Sequence, residues 1–194
     1  MLDTDDLALW YTLNRLMTNY WADVDSNGGI QAHEFYLPDA VYVVGNNRFE
    51  GEQKIRAFYA RRRQRGRTTT RHLVDNLRVF REDARHARSV GVMSLYRADG
   101  GPPFQGARPP AMIADFEAQC VMGDDRLWRF QSHVLRPIFV GSDVPISLTI
   151  DPRHLQTPPS PGLTRSFNRT CGESLSIDRC RVTSSNAQCH LSAV

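Results

Sequence analysis

Four long segments of strand-forming residues, separated by short turn sequences, constrain the fold of this chain more than any other feature. They span roughly residues 68–81, 84–98, 107–122 and 126–140. The breaks between them are acidic or rich in glycine and proline: Glu82-Asp83, Asp99 to Pro103, and Gly123 to Asp125. Such residues favour turns, and short turns join neighbouring strands as hairpins. The pattern therefore predicts an antiparallel meander.

Three helical patterns precede the meander, over residues 4–25, 30–36 and 51–64. The first has an apolar stripe at helical spacing from Leu7 to Val24. A strand over residues 40–44 and a return strand from Arg48 lie between the second and third helices. Helices segregated from an antiparallel sheet are typical of the α+β class.

Composition divides the chain near residue 150. Residues 1–150 carry the periodic patterns and predict one α+β domain. From Asp151 onward proline, serine and threonine dominate, and no helical or strand period persists. Such a segment buries too little apolar surface to offset the loss of chain entropy. Residues 151–194 are therefore expected to form a mostly disordered C-terminal tail.

Charge and hydropathy argue against a membrane or a nucleic acid as partner. No run of about 18 apolar residues is present. The acidic segment Met1–Asp6 lacks a signal pattern, so we expect a cytoplasmic protein. The net charge is +3, and the basic run from Arg61 to Arg67 contains no aromatic residue. We interpret this run as a solvated helix end, where cations complement the helix dipole.

The cysteines favour neither a metal site nor a cofactor. The four are Cys120, Cys171, Cys180 and Cys189, and no two of them form a CxxC pair. Wider spacings are weak indications of zinc, and no nucleotide-binding motif is present. We therefore expect no metal, no cofactor and, in a reducing cytoplasm, no structural disulfide.

The first strand of the meander carries the most informative polar residues. Within Thr68–Val79, strand alternation puts His72 and Asn76 on one face and Arg71 and Asp75 on the other. Histidine titrates near neutral pH and is a common acid–base group. If His72 faces a cavity, Asn76 is expected beside it.

Four motifs resemble those of a known family: Tyr20–Asp25, Phe35–Val41, Thr70–Val79 and Gly123–Phe130. Over about residues 5–145 the chain resembles the SnoaL-like branch of the nuclear transport factor 2-like superfamily. The resemblance implies a cone-shaped α+β roll, with three N-terminal helices packed on a curved, mainly antiparallel sheet. The superfamily includes scytalone dehydratase, polyketide cyclases and the small subunits of ring-hydroxylating dioxygenases.

Resemblance to scytalone dehydratase implies an aspartate at the end of the first helix near a strand histidine. Asp25 and His72 hold the matching positions, with Asp23 as an alternative because helix ends vary by a residue or two. A carboxylate beside an imidazole fixes its tautomer and favours its protonated form. A histidine near neutrality can remove a proton alpha to a carbonyl and deliver one to a departing hydroxyl.

The candidate substrate-binding residues are Tyr42, Asn76, Trp21 and Tyr20. A phenol from Tyr42 or from a helix tyrosine such as Tyr20 is suited to polarise a carbonyl oxygen. The dehydratase uses a second strand histidine, which has no clear equivalent in residues 107–122. His133 lies on a different strand, and its direction is left open.

Two classes of function fit these features. The first is a cofactor-independent lyase or isomerase/cyclase that uses Asp–His acid–base chemistry on a small apolar, carbonyl-bearing molecule. The alternative is a non-catalytic small (beta) subunit of a ring-hydroxylating dioxygenase, or a ligand-binding module. A homo-oligomer, dimer or trimer, is expected in each case.

Overall fold

The computed structural model describes residues 3–141. Its elements are α1 Thr4–Ser26, a 3-10 turn Ala32–Phe35, β1 Tyr36–Val44, β2 Asn47–Glu50, α2 Glu52–Gln64, β3 Thr68–Arg81, β4 His86–Asp99, β5 Met112–Met122 and β6 Trp128–Val140. The expected tail over residues 151–194, with three of the four cysteines, lies outside the described residues.

The six strands form one sheet in the order β2-β1-β6-β5-β4-β3. Strands β3 to β6 pair antiparallel in sequence, so the predicted meander is confirmed. Strand β5 begins later than predicted because Pro109 and Pro110 lack the backbone N–H that a ladder requires. Strand β1 pairs with β2 antiparallel and with β6 in parallel, so β2 and β3 are the edge strands of the sheet.

Helix α1 buries the later part of its predicted apolar stripe against the inner face of the sheet, whereas Leu7 and Tyr11 near its start are each 56% exposed. Leu13, Met17 and Val24 are each at most 2% exposed. At its start the Asp3 carboxylate accepts a hydrogen bond from the Asp5 N–H at 3.4 Å, which satisfies one of the free donors of the first turn. The predicted first helix is thus confirmed. Neither described helix is long and apolar enough to cross a membrane.

The described residues contain two α-helices rather than the expected three. The segment predicted as a helix over residues 30–36 forms only the 3-10 turn, and β1 begins directly at Tyr36. Tyr36 pairs with Phe130 of β6 and is therefore part of the sheet, so the helix cannot extend to this residue. Gly28 and Gly29, which precede this segment, adopt φ angles of 65° and 71°, so α1 does not continue into it.

A β-bulge interrupts β3 at Asn76. The register with β4 shifts between Asp75 and Arg78, and Asn76 has a φ of 53°. One extra residue in a strand reverses the faces of the residues that follow. Leu77 and Val79 therefore lie on the inner face, where they pack against the core.

Gly91 of β4 is the counterpart of this bulge and generates a test. A Cβ at Gly91 would lie 2.7 Å from the Phe116 ring and 2.8 Å from the Asp75 carbonyl oxygen. We expect Gly91→Ala to lower the free energy of unfolding by about 1–3 kcal/mol, since overpacking a filled core forces side chains from their preferred rotamers. Urea denaturation measures the change.

A second substitution separates the two contacts. Phe116→Leu replaces the ring that the new methyl group meets with a smaller side chain. Gly91→Ala is therefore expected to lower the free energy of unfolding less in a Phe116→Leu background than in the wild type. An unchanged free energy of unfolding for Gly91→Ala would contradict the tight packing at this position.

Candidate active site

A cavity of about 80 Å³ lies between the inner face of the sheet and the two helices. Its apolar walls are Val44, Phe58, Met93, Leu95, Met112 and Leu135, and the polar groups in it include His72, Tyr42, Tyr59 and Thr70. Apolar walls with a few converging polar groups are typical of small-molecule sites. The cavity is smaller than the roughly 300–1,000 Å³ of sites for drug-sized ligands, so it suits a small ligand.

The Asp25 carboxylate, at the end of α1, holds the start of β3. Its Oδ1 accepts from His72 Nδ1 at 2.6 Å and from the Thr70 hydroxyl at 2.7 Å. Its Oδ2 accepts from the His72 backbone N–H at 2.7 Å. The side chains of Asp25 and His72 are only 9% and 6% exposed. Three short hydrogen bonds therefore fix the position and the rotation of the imidazole ring.

Asp23 has a different role, which settles the choice between the two aspartates. Its Oδ1 accepts from the Asn27 side-chain amide at 2.8 Å, and its Oδ2 accepts from the Gln31 backbone N–H at 3.1 Å. Asp23 thus organises the loop after α1, while Asp25, two residues further, turns toward β3. The predicted pairing of Asp25 with His72 matches the geometry.

The electrostatics of the pair make Asp25 ionised and His72 neutral at pH 7. Burial raises the pKa of Asp25, but the hydrogen bonds from His72 and Thr70 outweigh it and hold the pKa below its usual value. Burial, together with the charge of Arg62, lowers the pKa of His72 by more than the hydrogen bond and the charge of Asp25 raise it. A carboxylate only accepts, so Nδ1 carries the proton and Nε2 keeps its lone pair. Within residues 3–141, nothing donates to Nε2.

Trp21 forms the second support of the imidazole. Its ring stacks on His72 with centroids 4.0 Å apart and planes inclined by 11°. Trp21 also lines the cavity, as predicted for a substrate-contacting residue. Its buried indole N–H has no hydrogen-bond partner among the described residues, so the ring contributes by packing alone.

Two buried tyrosines, Tyr42 and Tyr59, form another part of the cavity wall. Tyr42 and Tyr59 line the cavity, and the Tyr59 hydroxyl is hydrogen-bonded to that of Tyr20. Burial raises the pKa of all three phenols, so they remain protonated and able to donate at neutral pH. Tyr42 is placed as the sequence predicts. Tyr20 is buried behind these two tyrosines and does not line the cavity itself.

The prediction for Asn76 differs from its place in the structure. Asn76 is exposed and borders a groove on the outer face of the sheet with Arg78 and Asp115, away from His72. Strand alternation predicted that it shares the face of His72. The bulge removes that relation because Asn76 is itself the extra residue.

Sequence reasoning missed Tyr59 and Thr70, and it interpreted the run from Arg61 to Arg67 as a solvated helix end. The interpretation is wrong for Arg62, which is half-buried and lines the cavity. Tyr59 lies four residues after the buried Ile55 on α2, and this spacing puts both on the inward face. Thr70 precedes His72 by two residues in β3 and shares its face by alternation. Both signals were present in the sequence.

His133, whose direction the sequence left open, points into the core behind Trp21. Its Nδ1 lies 3.0 Å from the Tyr36 hydroxyl, and its Nε2 has no partner among the described residues. Burial, followed by the neighbouring His72, lowers the pKa of His133 to about 3. His133 does not line the cavity, and its lowered pKa makes it a neutral group of the core.

No group of three or more histidine, cysteine, aspartate or glutamate side chains in residues 3–141 is arranged to hold a metal ion. Cys120 is buried in β5, and burial raises the pKa of its thiol to about 12. It is a small core residue, as its apolar surroundings in the sequence predict.

The model of the SnoaL-like domain family matches residues 7–134. A search of curated proteins finds no match.

Several solved structures share the fold. A protein assigned as a scytalone dehydratase, from Novosphingobium aromaticivorans, has a TM-score of 0.60 at 17% identity, over 71% of this chain and 89% of that one. ActVI-ORFA from Streptomyces coelicolor has a TM-score of 0.60 at 10% identity, over 70% and 98%. A protein assigned as an aromatic ring hydroxylase, also from N. aromaticivorans, has 0.56 at 14%, over 72% and 93%. At these identities the likeness establishes the fold alone.

The neutral, buried His133 predicts a loss of stability in acid. With a folded-state pKa of about 3, it binds no proton between about pH 6.5 and 3, whereas the unfolded chain does. The free energy of unfolding therefore falls as pH decreases below 6.5. The contribution of one such group is at most about 1.4 kcal/mol per pH unit.

Urea denaturation of His133→Phe between pH 7 and 4 tests this. The variant is expected to lose less stability per pH unit than the wild type, whatever its stability at pH 7. His86→Gln, at an exposed histidine beside Asp83, serves as the control and should keep most of the wild-type slope. Equal slopes for His133→Phe and the wild type would refute the assignment.

Proposed function

Since the chain belongs to the SnoaL-like domain family, we propose that its cavity catalyses a cofactor-independent proton transfer on a small apolar carbonyl compound. The reaction class is dehydration, isomerisation or cyclisation. One observation carries the proposal: His72, whose Nε2 has no hydrogen-bond partner among the described residues, lines a largely apolar cavity while the Asp25 carboxylate holds its Nδ1 at 2.6 Å.

His72 acts as the base in the first step. Its Nε2 takes a proton from the carbon alpha to the substrate carbonyl, and the electron pair of the broken C–H bond forms an enolate. The imidazolium that results gains stability from the Asp25 carboxylate, which is already ionised and in contact. The protonated and neutral forms of the ring therefore occupy the same position, and no reorganisation is required.

Tyr42 and Tyr59 act on the carbonyl oxygen. Both phenols line the cavity and both remain protonated at neutral pH, so each is able to donate a hydrogen bond to the enolate oxygen. The Tyr20 hydroxyl, bonded to that of Tyr59, orients this donor from behind. Donors set in a water-poor wall stabilise developing negative charge more than they do in water.

The second step returns the proton from His72 Nε2. In a dehydration the proton goes to a hydroxyl beta to the carbonyl, the C–O bond breaks, water leaves and a carbon–carbon double bond forms. In an isomerisation the proton goes back to another carbon of the enolate system. In an aldol cyclisation the enolate carbon attacks a second carbonyl of the same molecule, and the proton goes to the new alkoxide. Each route leaves His72 neutral again, and none consumes a cofactor.

Substitution of the pair provides the first test. His72→Ala removes the base, and Asp25→Asn removes the charge that stabilises the imidazolium. Each is expected to lower kcat by at least about a hundredfold on a substrate found by screening small beta-hydroxy ketones and small diketones. The matched control is Asp23→Asn, the same change two residues away, which should leave kcat within about threefold.

Losses below tenfold in both variants would refute the catalytic roles. Binding of the same compounds with no conversion in the wild type would favour the non-catalytic alternative, a ligand-binding domain or an assembly subunit. Circular dichroism of each variant checks that the fold is retained.

The pH profile gives a second, independent test. The base must be neutral, so kcat/KM is expected to fall in acid as His72 becomes protonated, with a midpoint below the ordinary histidine value of about 6.5. Asp25 raises the pKa of His72, so Asp25→Asn should move this acid midpoint to a lower pH. A midpoint that moves upward in Asp25→Asn would be incompatible with the proposed pair.

A further inference from the structure

Three arginines line the same cavity as the catalytic candidates. Arg62 and Arg65 come from the end of α2, and Arg97 comes from β4. Arg62 and Arg97 are half-buried, whereas Arg65 is exposed, so the charged groups lie where the cavity opens. We call these three residues the arginine rim.

The local structure directs the arginine rim toward the cavity. Arg62 lies in the last turn of α2, and Arg65, three residues further along the chain, caps this helix at its C-terminal end. The Arg62 guanidinium donates to the Thr70 hydroxyl at 2.8 Å, directly beside the Asp25–His72 pair. Arg97 lies opposite Thr70 in the β3–β4 ladder and thus approaches the same point from the other side.

Ordinary structural roles do not account for the arginine rim. A cation at the end of a helix complements the dipole, which suffices for Arg61. Arg63 of the same turn has a separate role, since it donates to the carbonyl oxygens of Gly28 and Gly29 at 3.1 and 3.2 Å. Arg62 instead turns inward, to a neutral hydroxyl.

The charge of the arginine rim is only partly balanced. In residues 3–141, no carboxylate lies within 4.0 Å of a guanidinium nitrogen of Arg62 or Arg65. Arg97 pairs at 2.6 Å with Asp99, whose side chain is 76% exposed. The Asp25 carboxylate is occupied by His72 and Thr70. At least two cationic groups therefore face the mouth of an apolar cavity without a counter-ion of their own.

We propose that the arginine rim binds an anionic group of the substrate, whose apolar, carbonyl-bearing part occupies the cavity. The inference rests on the proposed function and defines its substrate class as a small organic acid with a carboxylate or a phosphate group. Guanidinium groups form charge-assisted, often paired hydrogen bonds to such anions. An anion held at the mouth sets which carbon of the bound molecule meets His72.

The arrangement also links binding to the state of the base. The positive charge of Arg62 contributes to the lowering of the pKa of His72. An anion paired with Arg62 cancels part of that field, so the bound substrate raises the pKa of the base toward neutrality. A base whose pKa lies closer to the working pH transfers protons more effectively.

Calorimetric titration of the full-length protein with matched ligands tests the inference. The probes are 4-oxopentanoate, its neutral methyl ester and 4-oxopentyl phosphate. We expect at least one of the two anions to bind with a Kd at least about tenfold below that of the ester, which corresponds to one charge-assisted contact. The preference should shrink at high salt. Tighter binding of the carboxylate or of the phosphate identifies the head group.

Variants locate the site. The double variant Arg62→Gln/Arg65→Gln and the single variant Arg97→Gln are each expected to reduce the preference for the anion, while binding of the ester changes little. Arg56→Gln is the matched control, since Arg56 lies on the exposed side of the same helix and outside the cavity lining. Arg65→Gln alone keeps the test valid if loss of Arg62 unfolds the domain.

The outcomes separate this inference from the proposed function. If the ester binds as tightly as both anions, if none of the probes binds, or if every rim variant keeps the wild-type preference, the inference is wrong. If the anion is preferred while His72→Ala retains turnover, the arginine rim stands and the catalytic roles fail.

Discussion

The hydrogen bonds of the Asp25 carboxylate join the first helix of this domain to its sheet. A carboxylate that is 9% exposed has lost most of its hydration, a cost that only short, well-aligned donors offset. The donors here are the Thr70 hydroxyl, the His72 backbone N–H and the His72 ring, all at 2.6–2.7 Å. They attach the end of α1 to the beginning of β3, so the helix covers the sheet in one position. The same contacts orient the imidazole, and the stability of the fold and the geometry of the site therefore have a common origin.

Local sequence patterns were sufficient for most of the architecture. The strands of the meander, the first helix and α2 followed from periodicity and turn residues, which act over a few positions. The Asp25–His72 pair followed from a family resemblance, because the two residues are far apart in the chain. The prediction of a second helix was wrong because Tyr36 pairs with Phe130 in the sheet, a contact that no local sequence pattern encodes. The predicted position of Asn76 was wrong for a related reason, because its bulge depends on the space that Gly91 leaves on the neighbouring strand. The roles of His133 and Tyr20 depend on which side chains surround them, and spacing alone did not reveal those neighbours.

The cavity combines two electrostatic environments within a short distance. Its inner wall consists of phenols and a histidine that burial keeps neutral, and they are able to donate or accept without carrying charge. Its mouth carries the guanidinium groups of the arginine rim. Neutral hydrogen-bonding groups and charged groups thus lie in different parts of one small cavity.

The parallel pairing of β1 with β6 has a consequence for how the domain forms. Tyr36 and His133, which meet in the core, are 97 residues apart in the chain. Hairpins such as β3–β4 close short loops and form early, whereas a contact of this separation carries a larger entropic cost and forms late. During synthesis, β1 can pair with β2 soon after both leave the ribosome, but its other edge has no partner until β6 has been made. An unpaired strand edge is prone to aggregate, so the addition of β6 both completes this part of the sheet and covers that edge.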